Sequence, residues 1–153
     1  MTRSRQATVA AVGAAMQRYQ RATQQFDDAA GRALGLGPAE MRCLDWLSDG
    51  PLTAGELAVA AGLRPAATTA LIDRLTAKGF VERSASETDR RRVLISLTAE
   101  GTRRVGAVYG PLVAAGGPLL ASLSDAELEA MAALLGSMTT LTDDRRAALE
   151  DGA

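Results

Sequence analysis

The chain has 153 residues, 47% hydrophobic but only 3% aromatic, with a formal net charge of −1 and no histidine. That length is one domain's worth, enough for a proper core, and an apolar content drawn largely from alanine suits helix packing better than sheet. No apolar run reaches the roughly 18 residues of a membrane span, the missing histidine removes the commonest general base and metal ligand, and with a single cysteine behind an N-terminus without a hydrophobic signal region a cytoplasmic protein is expected.

In chain order, Val9, Val12, Met16, Tyr19, Thr23, Phe26 and Ala30 recur at spacings of three and four. This predicts a helix over about 5–34 with one apolar seam, to be covered either by the chain's own later helices or by a second subunit. Leu34-Gly35-Leu36-Gly37-Pro38 interrupts it, and a helix over Ala39–Leu47 follows, with Met41, Leu44, Trp46 and Leu47 as its apolar members. Asp49-Gly50-Pro51 is a turn signal, and Leu52 can add a short strand.

Thr53-Ala54-Gly55-Glu56 is a capping box opening a short helix, with Leu57 and Ala60 or Ala61 inward and Gly62 as the turn. Pro65 starts the next helix, where a missing N–H costs nothing. Its apolar side is Leu71, Ile72 and Leu75, and Lys78-Gly79 ends it. Phe80 to Arg83, a polar loop from Ser84 to Arg91, and Val93 to Leu97 form a hairpin. Helix, Gly turn, helix and a basic hairpin make a winged helix-turn-helix.

Beyond the hairpin, Thr98 caps a helix from about Ala99 carrying Val105, Val108, Leu112 and Val113. Pro111, Gly116, Gly117 and Pro118 are expected to kink or end it. Ser124-Asp125-Ala126-Glu127 is a second capping box, opening a last helix on which Leu128, Met131, Leu135 and Met138 repeat the three–four spacing, broadened by Leu134 and Leu141.

The charge is unevenly spread. Residues 1–63 are neutral overall, residues 64–104 hold nine Arg and Lys against five acids for a net +4, and residues 105–153 are net −5. Positive charge thus concentrates on the winged segment, where a phosphate backbone would be met.

The run LIDRLTAKGFVER followed by DRRRVLISLTAEG resembles the MarR family of bacterial transcriptional regulators. The resemblance is carried by Asp89 and Arg91 in the wing and by Leu97, Thr98 and Gly101 where the wing enters the next helix. It implies a mainly α fold with a small β wing, one domain over 1–153. The winged helix is expected at about 39–98 and dimerisation helices at about 5–34 and 119–148. Val9, Val12, Met16 and Tyr19 on one helix, with Leu128, Met131, Leu135 and Met138 on the other, would hold a homodimer.

The second helix of the motif enters the major groove in this class. Its candidates are Arg64, able to face guanine, and Thr68 and Thr69, able to contact thymine methyls. Arg74 matches the family's arginine at this step, or else pairs with Asp73 or Glu82. Arg90, Arg91 and Arg92 form the wing cluster. On the resemblance, Arg91 enters the minor groove and Asp89 fixes it or a neighbour by an ion pair; the plainer alternative is a solvated charge run. Cys43 lies in an apolar helical context and reads as core, with a redox role the minor alternative. Asp27-Asp28 and Asp143-Asp144 read as solvated surface.

Neither a Gly-rich phosphate loop nor a Cys/His zinc pattern appears, so no cofactor or metal is expected. The expected function is sequence-specific binding of a pseudo-palindromic duplex by a homodimeric repressor that a small aromatic, phenolic or anionic ligand releases. Tyr19, Arg42, Trp46 and Tyr109 would line the ligand cleft, by the resemblance and helix placement. The rival is a winged-helix dimer that binds protein or ligand without DNA; an enzyme comes last, and no membrane partner is expected.

Overall fold

A computed structural model of the chain describes residues 4–86, 89 and 91–152. They divide into two compact units, Met1–Gly110 and Pro111–Ala153. Among the described residues, no helix is long and apolar enough to cross a membrane.

In the first unit, α1 spans Arg5–Leu34, its N-terminal amides capped by the Ser4 hydroxyl, which accepts from the Ala7 N–H. After the Gly35-Leu36-Gly37 break, α2 spans Pro38–Ser48 with proline at its first position. Strand β1, Leu52–Thr53, leads directly into α3, Ala54–Ala61. The capping box is formed as the sequence predicts: the Glu56 N–H donates to the Thr53 hydroxyl at 3.2 Å and the Thr53 N–H donates to the Glu56 carboxylate at 2.8 Å. Gly62 closes α3 at φ +64, a left-handed conformation that costs a residue without a side chain little. Helix α4, Pro65–Ala77, follows.

Strands β2, Val81–Ala85, and β3, Val93–Leu97, form the antiparallel wing, registered from Val81 opposite Leu97 to Ala85 opposite Val93. β1 pairs on the other edge of β3, Leu52 opposite Ile95, so the sheet order is β1-β3-β2. The core between helices and sheet is Leu57, Leu71, Ile72, Leu75, Phe80, Val81 and Ile95, joined by Leu34, Leu36, Cys43, Leu44 and Leu47. Cys43 is fully buried in this core, and burial pushes its thiol up, away from the reactive thiolate.

Helix α5, Ala99–Ala121, begins where Thr98 ties it to the wing. The Thr98 hydroxyl accepts the Gly101 N–H at 2.8 Å and donates to the Gly79 carbonyl at 2.7 Å, while the Thr98 N–H donates to the Phe80 carbonyl at 3.0 Å. A Cβ at Gly101 would stand 2.2 Å from that same carbonyl oxygen, so the helix approaches to a distance only glycine permits. The Leu97-Thr98-x-x-Gly101 pattern is the chemistry of this junction.

One expectation about this region, that the prolines end the helix if they do not kink it, is corrected in part. Pro111 and Pro118 do not end the helix, which runs through both to Ala121. Seven residues apart, they lie two turns apart on the same face, so the missing N–H donors fall on one side and the other side keeps its hydrogen-bond ladder. The last helix opens at the Ser124–Glu127 box as the sequence predicts: α6 spans Asp125–Asp151, so Leu119 to Ala121, inside the segment expected at about 119–148, belong to α5.

Candidate nucleic-acid interface

The exposed face of α4 is built from small residues. Ala66, Ala67, Thr69 and Ala70 are exposed, with Asp73 and Arg74 further along. Thr68 is not part of this face: it is fully buried and its hydroxyl donates to the Arg64 carbonyl at 3.0 Å. Three residues on from Pro65, Thr68 falls one turn before Leu71 and Ile72, and that periodicity turns it into the core. It is removed from the base-reading candidates. The Thr69 hydroxyl is exposed but donates to the Pro65 carbonyl at 3.2 Å. Arg64 is the N-cap of α4 without a side-chain cap bond.

Most cations of this segment are already committed. Arg74 pairs with Glu40 at 3.6 Å, not with Asp73 or Glu82; Asp73 is taken instead by Arg83 of β2 at 2.6 Å. Lys78 donates to both Glu40 oxygens, at 3.0 and 3.1 Å, and to the Gly35 carbonyl at 2.9 Å. Arg92 pairs with Glu56 at 2.6 Å, and Arg103 with Glu100. Arg104 lies over the Phe80 ring, 4.0 Å from its centroid, and donates to the Lys78 and Leu34 carbonyls. Among the described residues from 64 to 104, Arg64 and Arg91 are the cations whose side chains have no intramolecular partner. Arg90 lies outside the described residues.

The Asp89 contact also differs from expectation. Its carboxylate accepts the backbone N–H of Arg91 at 3.0 Å, and its carbonyl accepts the Arg92 N–H at 2.9 Å. Asp89 thus shapes the turn through the main chain; among the described residues it holds no guanidinium. Aspartate is suited to this because its short side chain reaches the amide two residues on.

Glu40 was not singled out from sequence. Its side chain is buried between α2 and α4. Burial alone would raise its carboxyl, but the Gly37 N–H at 2.8 Å, Lys78 and Arg74 outweigh that and hold it below the ordinary 4.5. A lowered folded-state value means the stabilisation is present above pH 4.5 and is lost as pH falls through the folded value. Glu40→Gln is therefore expected to cost about 1–2 kcal/mol at neutral pH. In thermal melts at pH 7, 5 and 3.5 the gap from the parent protein should narrow as the pH falls; a constant gap contradicts this assignment. The glutamate three residues after Gly37 is a visible capping signal, but its partner Lys78 stands 38 residues away and left none.

Residues 34–92 match the family model described as MarR family. The uncharacterised HTH-type transcriptional regulator YcgE of Bacillus subtilis is 34% identical over 123 residues, covering 80% of each chain. The chain belongs to the MarR family.

Solved MarR-type structures agree in fold. A MarR family protein from Bacillus stearothermophilus superimposes with a TM-score of 0.66 at 25% identity, over 92% of this chain and 99% of that one. A point mutant of MepR from S. aureus, solved bound to an oligodeoxyribonucleotide, gives a TM-score of 0.57 at 23% identity, covering 86% and 97%. MarR-family membership and its helix-turn-helix relatives, named as transcriptional regulators, support DNA-binding transcriptional regulation.

A cavity of about 870 Å³ opens in the first unit of this MarR-family chain. Gln24, Asp27, Arg32, Met41, Arg42 and Asp45 contribute to its wall with Tyr109, whose hydroxyl donates to Asp27 at 2.8 Å. The Tyr109 ring meets Phe26 edge-on, centroids 5.3 Å apart. Burial, followed by the Asp27 contact, pushes the phenol up; burial, followed by Asp49 and Asp27, pushes the Asp45 carboxyl up. Of the four expected ligand residues, Arg42 and Tyr109 line this cavity. Tyr19 and Trp46 do not line it, and both are exposed.

Proposed function

We propose that the protein is a homodimeric repressor that grips a pseudo-palindromic duplex through α4 in the major groove and the wing arginine Arg91 in the minor groove. The observation that carries this reading is the pair of uncommitted cations, Arg64 at the start of α4 and Arg91 at the wing turn, within a segment of net +4. A guanidinium without an internal carboxylate is free to meet phosphate or a narrow A·T-rich minor groove. The oligonucleotide-bound S. aureus relative lends support by its fold. Half-sites about 10 base pairs apart are expected. Binding should weaken steeply from low to physiological salt, through roughly 6–10 phosphate contacts per dimer; a flat salt response contradicts DNA binding.

The dimer reading is supported by apolar surface on two helices. Val9 and Val12 of α1 are 62% and 45% exposed, and Leu134, Leu135 and Leu141 of α6 are about half exposed. Each face, proposed as residues 5–34 and 119–148 with Met16, Tyr19, Leu128, Met131 and Met138, would be covered by a second subunit. Sedimentation should give a dimer at micromolar concentration, and Met16→Glu or Met138→Glu should shift it toward monomer, since a charge would lose water without a partner. A folded wild-type monomer at that concentration contradicts it.

Release by a small ligand is supported by the cavity, whose wall combines an aromatic ring with the cations Arg32 and Arg42. A small aromatic acid such as benzoate is the probe. It should release the duplex, and Arg42→Ala should raise the concentration needed; release unaffected by Arg42→Ala removes the cavity from the mechanism.

A further inference from the structure

We infer that Glu56, at the start of α3, is the positioning residue of the wing, holding Arg91 at the duplex by way of Arg92. This rests on the DNA-binding reading of the wing. The two oxygens of the Glu56 carboxylate are divided between two tasks. Oε2 accepts the Thr53 N–H at 2.8 Å and the Thr53 hydroxyl at 2.9 Å, completing the cap of α3. Oε1 accepts Nη2 of Arg92 at 2.6 Å, 36 residues on.

Arg92 in turn closes the wing turn. Its N–H donates to the Asp89 carbonyl and its carbonyl accepts the Ser86 N–H, both at 2.9 Å. Arg91 is therefore held from both sides, its own amide by the Asp89 carboxylate and its neighbour by Glu56, while its guanidinium has no partner among the described residues. One helix cap thus serves as the fixed post for the arginine meant for the groove. The cap hydrogen bonds and the Arg92 bond together hold the Glu56 carboxyl below its ordinary range, so the clamp is charged at neutral pH. An ion pair this exposed contributes little on its own; its effect lies in where it places Arg91.

The test uses the full-length protein and a duplex recovered by the wild-type chain from a randomised 20-base-pair library. Glu56→Gln keeps an acceptor for the Thr53 cap and removes the charge from Arg92. It should weaken binding by about two- to fivefold. In its background the factor lost on Arg91→Ala should shrink by that same two- to fivefold, while the factor lost on Arg64→Ala stays the same. Arg92→Gln breaks the same bond from the other side, should shrink the Arg91 factor equally, and stands in if Glu56→Gln does not fold. Thr53→Ala weakens the cap alone, and should lower the melting temperature without changing the Arg91 factor. Losses at Glu56 and Arg91 that multiply independently overturn the clamp, as does an equal change in the Arg64 factor. Wild-type protein that recovers no duplex overturns the DNA reading itself.

Discussion

Gly101→Ala is expected to be among the most destabilising single-methyl additions in this chain. The new Cβ would lie 2.2 Å from the Phe80 carbonyl oxygen, 2.9 Å from its carbon and 3.0 Å from the Phe80 Cα. All three are backbone atoms of a fully buried residue, so no side chain can swing aside. Relief requires α5 to lift off the wing, which strains the Thr98 hydrogen bonds to Gly79 and Phe80 and the Arg104 contact with the Phe80 ring. Overpacking of this kind costs about 1–3 kcal/mol, occasionally more, and alanine returns roughly 1 kcal/mol through helix propensity. Against a rigid backbone the clash sits at the upper end of that range, and a net loss of about 2 kcal/mol is expected, seen as a melting temperature lower by roughly 4–8 °C. Gly106→Ala, further along α5 with nothing within 4 Å of its Cβ position, is the control and should be neutral or slightly stabilising. Equal effects at the two positions would sink the close-approach account.

Arg91→Ala is expected to have the largest effect on duplex affinity, about 1–3 kcal/mol per half-site and so roughly twice that for a dimer engaging both. Its guanidinium is uncommitted, so nothing inside the protein is lost on truncation and the whole change falls on the bound state. Thr69→Ala should cost about 1 kcal/mol or less per half-site, because the hydroxyl is already satisfied by the Pro65 carbonyl. Asp89→Ala tests the sign. It deletes a negative charge near phosphate, yet it also removes the acceptor of the Arg91 N–H, and weaker binding is expected. Titration of the three variants on one duplex at fixed salt decides between positioning and simple charge: tighter binding by Asp89→Ala refutes positioning, and a larger loss at Thr69 than at Arg91 refutes the ranking.

Short-range chemistry was legible in the sequence. Thr53-x-x-Glu56 and Ser124-x-x-Glu127 announced two helix starts, Gly62 a turn, Pro65 a helix opening, and the run Val93 to Leu97 the second strand of a hairpin. Each of these is settled within a few residues, where propensity and capping act. The Asp89–Arg91 and Leu97–Gly101 patterns carried the resemblance to the MarR family for the same reason, since a turn acceptor and a helix junction demand particular residues at fixed spacing.

What the fold alone decided is which surface charges remain available. Nothing along the chain says which carboxylate Arg74, Lys78, Arg83 or Arg92 will meet, and only packing gave Arg74 and Lys78 to Glu40, Arg83 to Asp73 and Arg92 to Glu56. Long side chains choose partners by proximity in space, often from elements distant in the chain, and no local pattern records that choice. Thr68 is the intermediate case. Its place one turn before Leu71 and Ile72 already leaned toward the core, but an alanine-rich helix blurs its own faces, and the packing of α4 against α3 and the sheet was needed to bury it.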